Sequence, residues 1–139
     1  MARARVQVLP RSKAAVCLDR GDNLVRTVEL ADRESNPDGV GTSAVQASIA
    51  LGDAYTIYFR NERCPGQDHH EVLALIARCQ APNDGEIGRT LSRILDRKGE
   101  VEYADRAVSL KEARELERWV GRLSALVHAE VEPPRGMLR

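Results

Sequence analysis

The sequence is poor in aromatic residues and cysteine, and it has no excess of charge of either sign. Phe, Tyr and Trp make up 4% of its 139 residues, too few for a platform on which single-strand-binding domains stack successive bases. Cys17, Cys64 and Cys79 are an odd number at wide spacing, which matches neither a disulfide framework nor a paired-cysteine zinc site. We therefore expect reduced thiols, and neither an OB-fold nor an RRM.

Positive and negative side chains balance at 21 each, so the chain lacks the overall basic field that drives non-specific binding to duplex DNA. This balance excludes a histone-like role. The longest apolar run, residues 72–77, has six residues, whereas roughly 20 are needed to span a bilayer. No apolar stretch follows the basic residues 1–13 to form a signal-peptide core. We expect a cytoplasmic protein without a membrane segment.

Common signatures of catalytic sites are also missing from the sequence. It has no glycine-rich phosphate loop with a lysine, no G-x-S-x-G turn and no H-E-x-x-H helix. With only His69, His70 and His128, a histidine-rich metal centre is not expected. We predict neither a metal nor a cofactor.

A length of 139 residues fits one domain with a single hydrophobic core. Apolar residues recur at helical spacing, and glycine and proline fall between the periodic segments. We predict an all-α protein, an antiparallel bundle of about five helices over residues 12–129. A basic, extended lead is expected at residues 1–11 and a flexible tail at residues 130–139. The predicted helices cover about residues 12–33, 43–62, 68–79 and 86–103, with a last helix that opens at Ser109.

Capping signals place the starts of three helices. Residues 35–41 are predicted to be a loop, because Pro37 and two glycines interrupt helical structure there. The second helix is predicted to begin at Ser43, which lies three residues before Gln46 in the spacing of a capping box. Asp68 with Glu71 and Ser109 with Glu112 have the same spacing at the starts of the third and last helices.

The second helix is apolar almost all round, which is typical of a helix surrounded by others. A bundle this small cannot enclose every such face, so we expect a homodimer with this helix and the junction from Arg63 to His69 near the interface. Asp53 lies within the helix and has two interpretations. It either sits in the packing layer, where a carboxylate needs a polar or charged partner, or it points to solvent beside Gln46 and Arg60.

One stretch, residues 60–71, holds the only candidate site. If Asp68 caps the third helix, His69 and His70 occupy its first two positions, where the helix dipole disfavours imidazolium. A neutral histidine there could act as a base. Arg63 would complement a phosphate held at the same helix terminus.

The same residues also have a purely structural interpretation, which composition alone favours. Asp68 and Glu71 would cap the helix, the two histidines would be exposed polar residues on its first turn, and Arg63 would pair with Glu62 or Asp68.

The spacing of Arg63 and His69 resembles the hallmark of the HEPN superfamily, Arg-x(4–6)-His at the junction of the second and third helices. A more extended similarity, to an actinobacterial branch of HEPN proteins, covers roughly residues 12–127. The position after the arginine is Cys64, where active members usually carry Asn, Asp or His. The segments that carry the similarity are Ser43-Ala-Val-Gln-Ala-Ser-Ile-Ala-Leu-Gly-Asp-Ala54, Gly66-Gln-Asp-His69, Leu95-Asp-x-Lys98 with Tyr103, and Val108-Ser109 with Ala113.

The resemblance implies a homodimeric, metal-independent ribonuclease, in which arginine and histidine from both chains meet in one cleft. Such proteins are often toxins paired with a nucleotidyltransferase-like antitoxin. His69 would move a proton at the ribose 2′-OH or the leaving oxygen, and Arg63 would stabilise the phosphorane. The product would be a 2′,3′-cyclic phosphate.

The matched segments also supply binding candidates for RNA or a nucleotide, namely Asp53, Gln67, Asp68, Lys98 and Tyr103. The last two could contact a phosphate in the cleft. Alternatively, Lys98 lies on a solvated face and Tyr103 packs at a helix end.

A second hypothesis, from a different class, is a catalytically silent helical adaptor that holds a protein partner such as a nucleotidyltransferase. The balanced net charge favours the adaptor slightly. The presence of Arg63 and His69 in the expected order favours the ribonuclease.

Overall fold

The computed structural model describes residues 6–66, 68–103 and 105–131. It is mostly helical (76%) with one small two-stranded sheet, which places the chain in the all-α class as a helical bundle. In chain order the elements are β1 (Gln7–Val8), α1 (Lys13–Arg33), α2 (Pro37–Arg60), β2 (Glu62–Arg63), α3 (His69–Ala77), α4 (Asp84–Asp96), α5 (Lys98–Tyr103) and α6 (Leu110–Glu130).

Helix α2 begins earlier than predicted, so the expectation of a loop over residues 35–41 is wrong for residues 37–41. The side chain of Asn36 accepts a hydrogen bond from the Gly39 N–H at 3.0 Å and caps the helix. Pro37 follows at the first helical position, where its missing N–H leaves no donor unsatisfied. Ser43 therefore lies inside α2 and does not open it.

Gly41 belongs to this first part of α2 and is required by close packing. A Cβ added there would lie 3.2 Å from the Val101 side chain and 3.3 Å from that of Val108. The glycine thus lets α5 and the segment after it approach the helix.

The prediction that the second helix is central is confirmed. Helix α2 packs against α1, α3, α4, α5 and α6. Between Ala44 and Ile57 only Gln46 and Ile49 are exposed. A single chain therefore covers almost all of this helix, and its apolar character no longer argues for a homodimer.

The predicted helix over residues 86–103 is split into α4 and α5, with a turn at Arg97 between them. The start of α4 is tied to the central helix, because the buried Tyr55 hydroxyl donates a hydrogen bond to Asp84 Oδ1 at 2.6 Å. The apolar face of α4, which includes Leu91 and Leu95, is buried.

The capping box at the start of α6 is confirmed. Ser109 Oγ accepts from the Glu112 N–H, and Glu112 Oε1 accepts from the Ser109 N–H, each at 3.1 Å. The helix continues to Glu130, and Val131 is buried. These two residues were expected in the flexible tail, whose remainder, residues 132–139, lies outside the described residues.

The N-terminal lead is extended where the structure describes it, and it packs on the bundle. Gln7 pairs with Arg63 and Val8 with Glu62 in an antiparallel ladder. The Leu9 N–H donates to the Asn61 carbonyl at 2.9 Å. The lead therefore contacts the segment between α2 and α3.

Among the helices of the described ranges, none is long and apolar enough to cross a membrane.

Candidate functional site

Arg63 is positioned by the turn that ends α2. Asn61 adopts the left-handed conformation with φ 56°, which asparagine tolerates better than most residues. This turn redirects the chain into β2, where Arg63 pairs with the N-terminal strand. Its guanidinium Nε donates to Gln7 Oε1 at 2.9 Å. Both strands thus hold the arginine beside the central helix.

Arg63 pairs with Asp53, and neither Glu62 nor Asp68 is its partner as the structural interpretation of the sequence expected. Arg63 Nη1 lies 3.5 Å from Asp53 Oδ2. Of the two interpretations of Asp53, the packing-layer one is correct, because the residue is only 9% exposed.

Burial and the arginine act on Asp53 in opposite directions. Loss of solvation disfavours the carboxylate and raises its pKa, while the charge and hydrogen bond of Arg63 lower it. Burial has the larger effect, so the pKa of Asp53 is raised from 3.8 to about 6. The pair therefore sits in an environment where removal from water outweighs the attraction between the two charges.

Helix α3 begins as predicted, with Asp68 as its N-cap. The Asp68 carboxylate accepts a hydrogen bond from the His70 N–H at 2.9 Å. His69 and His70 are the first two helical residues, and their rings lie 4.6 Å apart. Adjacent helical residues project about 100° apart, so only His69 turns into the cleft, while His70 is exposed.

Asp96 is a neighbour of His69 that the sequence did not single out. His69 Nε2 lies 3.5 Å from Asp96 Oδ1 at the end of α4. Asp96 falls within the segment Leu95-Asp-x-Lys98 that carries the resemblance, and this was the only available signal. A carboxylate at this distance favours one orientation of the imidazole ring.

The predicted residues Asp53, Arg63, His69 and Lys98 line one cleft with a volume of about 110 Å³. Lys98 has only 16% of its side chain exposed, and its Nζ lies 3.8 Å from Glu102 Oε1. It is therefore not on a solvated face. The rest of the wall is apolar or backbone, from Ile49, Pro65, Gly66, Val72, Leu91 and Leu95.

Two other candidates, Tyr103 and Asp68, are not part of this cleft lining. Tyr103 ends α5 with 76% of its surface exposed. Asp68 is exposed and serves as the cap of α3. Gln67 lies outside the described residues.

The cleft combines two fixed cations, a buried carboxylate and a histidine with a carboxylate neighbour. Arginine and lysine attract an anionic group, and the histidine can transfer a proton to or from it. In the described part of the chain no group of three or more His, Cys, Asp or Glu side chains is arranged to hold a metal ion. The arrangement suits acid–base chemistry on an anion.

Comparisons of the chain with protein-family models, with curated proteins and with solved structures found no match.

Proposed function

We propose that the chain is a HEPN-type, metal-independent endoribonuclease whose reaction takes place in the cleft at the start of α3. The observation that carries the proposal is the convergence of Arg63, His69 and Lys98 on one space of about 110 Å³. Pockets for whole small molecules measure roughly 300–1,000 Å³. A cleft of this size suits one phosphodiester group with the rest of the strand outside.

His69 is the proposed proton-transfer group. The ribose 2′-oxygen would attack phosphorus while the bond from phosphorus to the 5′-oxygen breaks, which gives a 2′,3′-cyclic phosphate and a 5′-hydroxyl. His69 would take the proton from the 2′-OH or deliver one to the leaving oxygen. Asp96 Oδ1, 3.5 Å from His69 Nε2, would orient the ring.

Arg63 and Lys98 are the proposed electrostatic groups. The phosphorane carries more negative charge on its oxygens than the substrate, so cations fixed in a partly buried site stabilise it preferentially. Asp53 and Gln7 each contact the Arg63 guanidinium. They would keep its planar fork aimed at the phosphate before the substrate arrives.

The proposal includes a homodimer and, as the resemblance implies, a nucleotidyltransferase-like antitoxin as partner. A second depression, of about 250 Å³, shares Ile49, Asp53 and Arg63 with the cleft and extends to Cys17 and Gln46. A second copy seated there would place its own site next to Arg63 and could supply the second proton transfer. Sedimentation at micromolar concentration tests this assembly, and a monomer would contradict it.

Cleavage of labelled single-stranded RNA in EDTA tests the activity. His69→Ala should lower the rate by on the order of 10²-fold or more, as expected for loss of a general acid or base. His70→Ala is the matched control, because it removes the neighbouring imidazole outside the cleft, and it should cleave like the wild type.

Absence of cleavage by the wild type would contradict the proposal. Equal cleavage by the His69→Ala variant would contradict it too. The adaptor hypothesis, in which the same surface holds a protein partner, would then replace it.

A further inference from the structure

A second surface, formed by α4 and α6, concentrates positive charge in a chain whose total charge is zero. It is a groove of about 490 Å³ whose lining contains four arginines and one glutamate. None of its lining residues belongs to the cleft. We call it the arginine groove, and its lining residues are Glu86, Arg89, Thr90, Arg93, Arg118, Trp119 and Arg122.

The four arginines form two pairs with helical spacing. Arg89 and Arg93 are four residues apart on α4, and Arg118 and Arg122 are four residues apart on α6. Residues at this spacing are neighbours on the helix surface, and like charges there repel each other. Because α4 packs against α6, the two pairs line a single groove.

Only part of this charge is compensated within the protein. Glu86 forms ion pairs with Arg89 and Arg122, the second at 2.7 Å. Within the described residues, Arg93 and Arg118 make no ion pair, and both are exposed. The groove therefore keeps an unneutralised positive charge that an anionic ligand would relieve.

We propose that the arginine groove binds the phosphodiester backbone of a nucleic-acid strand. All four cations are arginines, whose planar fork donates two parallel hydrogen bonds to a phosphate. Paired cations on two helices match a ligand that repeats its charge along its length. Trp119 adds an aromatic ring to the lining, with Arg97 Cζ 5.5 Å from its centroid.

The aromatic ring distinguishes this ligand from an acidic peptide. A nucleic-acid strand offers bases that stack on an indole, and arginine adds a cation–π contribution to such contacts. A run of carboxylates offers no such group. The inference goes beyond the proposed cleavage reaction, because binding in the groove involves none of the residues in the cleft.

Fluorescence anisotropy with labelled oligothymidylate tests the groove independently of cleavage, since this probe has no 2′-OH. The double variant Arg93→Gln/Arg118→Gln should bind at least about tenfold more weakly than the wild type at low salt. Each phosphate contact contributes about 0.7 to the slope of log affinity against log salt. The slope should therefore be shallower by about 1.4 in the double variant.

The matched control is Arg26→Gln/Arg33→Gln, which removes the same charge from exposed positions on α1. It should retain most of the wild-type affinity and the wild-type salt slope. Equal weakening by the two double variants would overturn the proposal, and so would unchanged binding by the groove variant.

Polyglutamate serves as the competitor and should not displace the oligonucleotide at equal charge concentration. Displacement would identify an acidic peptide as the ligand and overturn the proposal. RNA cleavage in EDTA is measured separately on the same proteins. A wild type that binds through the groove but does not cleave would refute the proposed function alone.

Discussion

The cleft and the arginine groove are both lined by basic side chains, but these side chains differ in how far they are exposed. In the cleft, Arg63 has 33% and Lys98 16% of the side chain exposed, and each lies near a carboxylate. In the groove, Arg89 and Arg122 are 63% and 56% exposed. Partial burial restricts the geometry of a charged side chain and reduces screening by salt, whereas exposed charges are screened by solvent and salt. The cleft therefore suits chemistry at one atom, and the groove suits binding along a strand.

Helix α4 contributes to both surfaces. Leu91 and Leu95 line the cleft, whereas Arg89 and Arg93 line the groove. A helix that is apolar on one face and charged on the other can support two surfaces at once. The comparison can therefore be tested by matched substitutions that change one surface and leave the other intact.

The largest expected effect is that of Arg63→Lys on RNA cleavage. A lysine keeps the charge but loses the planar fork, so kcat/KM should fall by about 10²–10³-fold, or roughly 3–4 kcal/mol of transition-state stabilisation. Arg26→Lys makes the same change at an exposed position on α1 that lines neither surface, and it should leave the rate unchanged. Equal rates for the two variants would contradict the role of the planar fork of Arg63 in the cleft.

The second effect is a dependence of stability on pH that Asp53→Asn should remove. The folded pKa of Asp53 is about 6, above the ordinary 3.8, so between these values the folded state holds a proton that the unfolded state has lost. Stability therefore falls as pH rises through this window. The variant should gain stability relative to the wild type across it, by up to about 3 kcal/mol.

Chemical denaturation at several pH values measures this gain. Asp19→Asn, at an exposed position on α1, is the control and should show no such trend. A constant difference between Asp53→Asn and the wild type would show that burial does not govern this carboxylate.

The smallest expected effect is that of Glu86→Gln on nucleic-acid binding. The substitution frees Arg89 and Arg122 from their carboxylate partner, so affinity for oligothymidylate should rise severalfold, with a steeper salt dependence. Anisotropy titration measures the change. Glu29→Gln, which removes an equal charge from α1, should have less effect, and weaker binding by Glu86→Gln would contradict the role of the groove.

Local sequence signals predicted most of the helices. The Asp68 and Ser109 caps were identified because a capping side chain acts on backbone groups two or three residues away. The predicted start of α2 is wrong, because Pro37 occupies the first helical position and does not interrupt the helix. A proline can interrupt a helix or occupy its first position, and the cap that Asn36 provides favours the second.

The candidate site was predictable only in part. Arg63 and His69 followed from their spacing and the resemblance, and both line the cleft. Asp96, 3.5 Å from His69, had no distinguishing local pattern. Its contact with the histidine depends on how the end of α4 packs beside the start of α3.

The sequence by itself determined the helical class and the central position of α2, because apolar periodicity and caps are local properties of the chain. The tertiary structure alone decided that Asp53 is the partner of Arg63 and that four arginines of α4 and α6 line one groove. Net charge is a sum over the whole chain, and residue spacing describes positions within one segment. Which side chains meet across segments, and how much water they lose there, depends on packing between helices far apart in the chain.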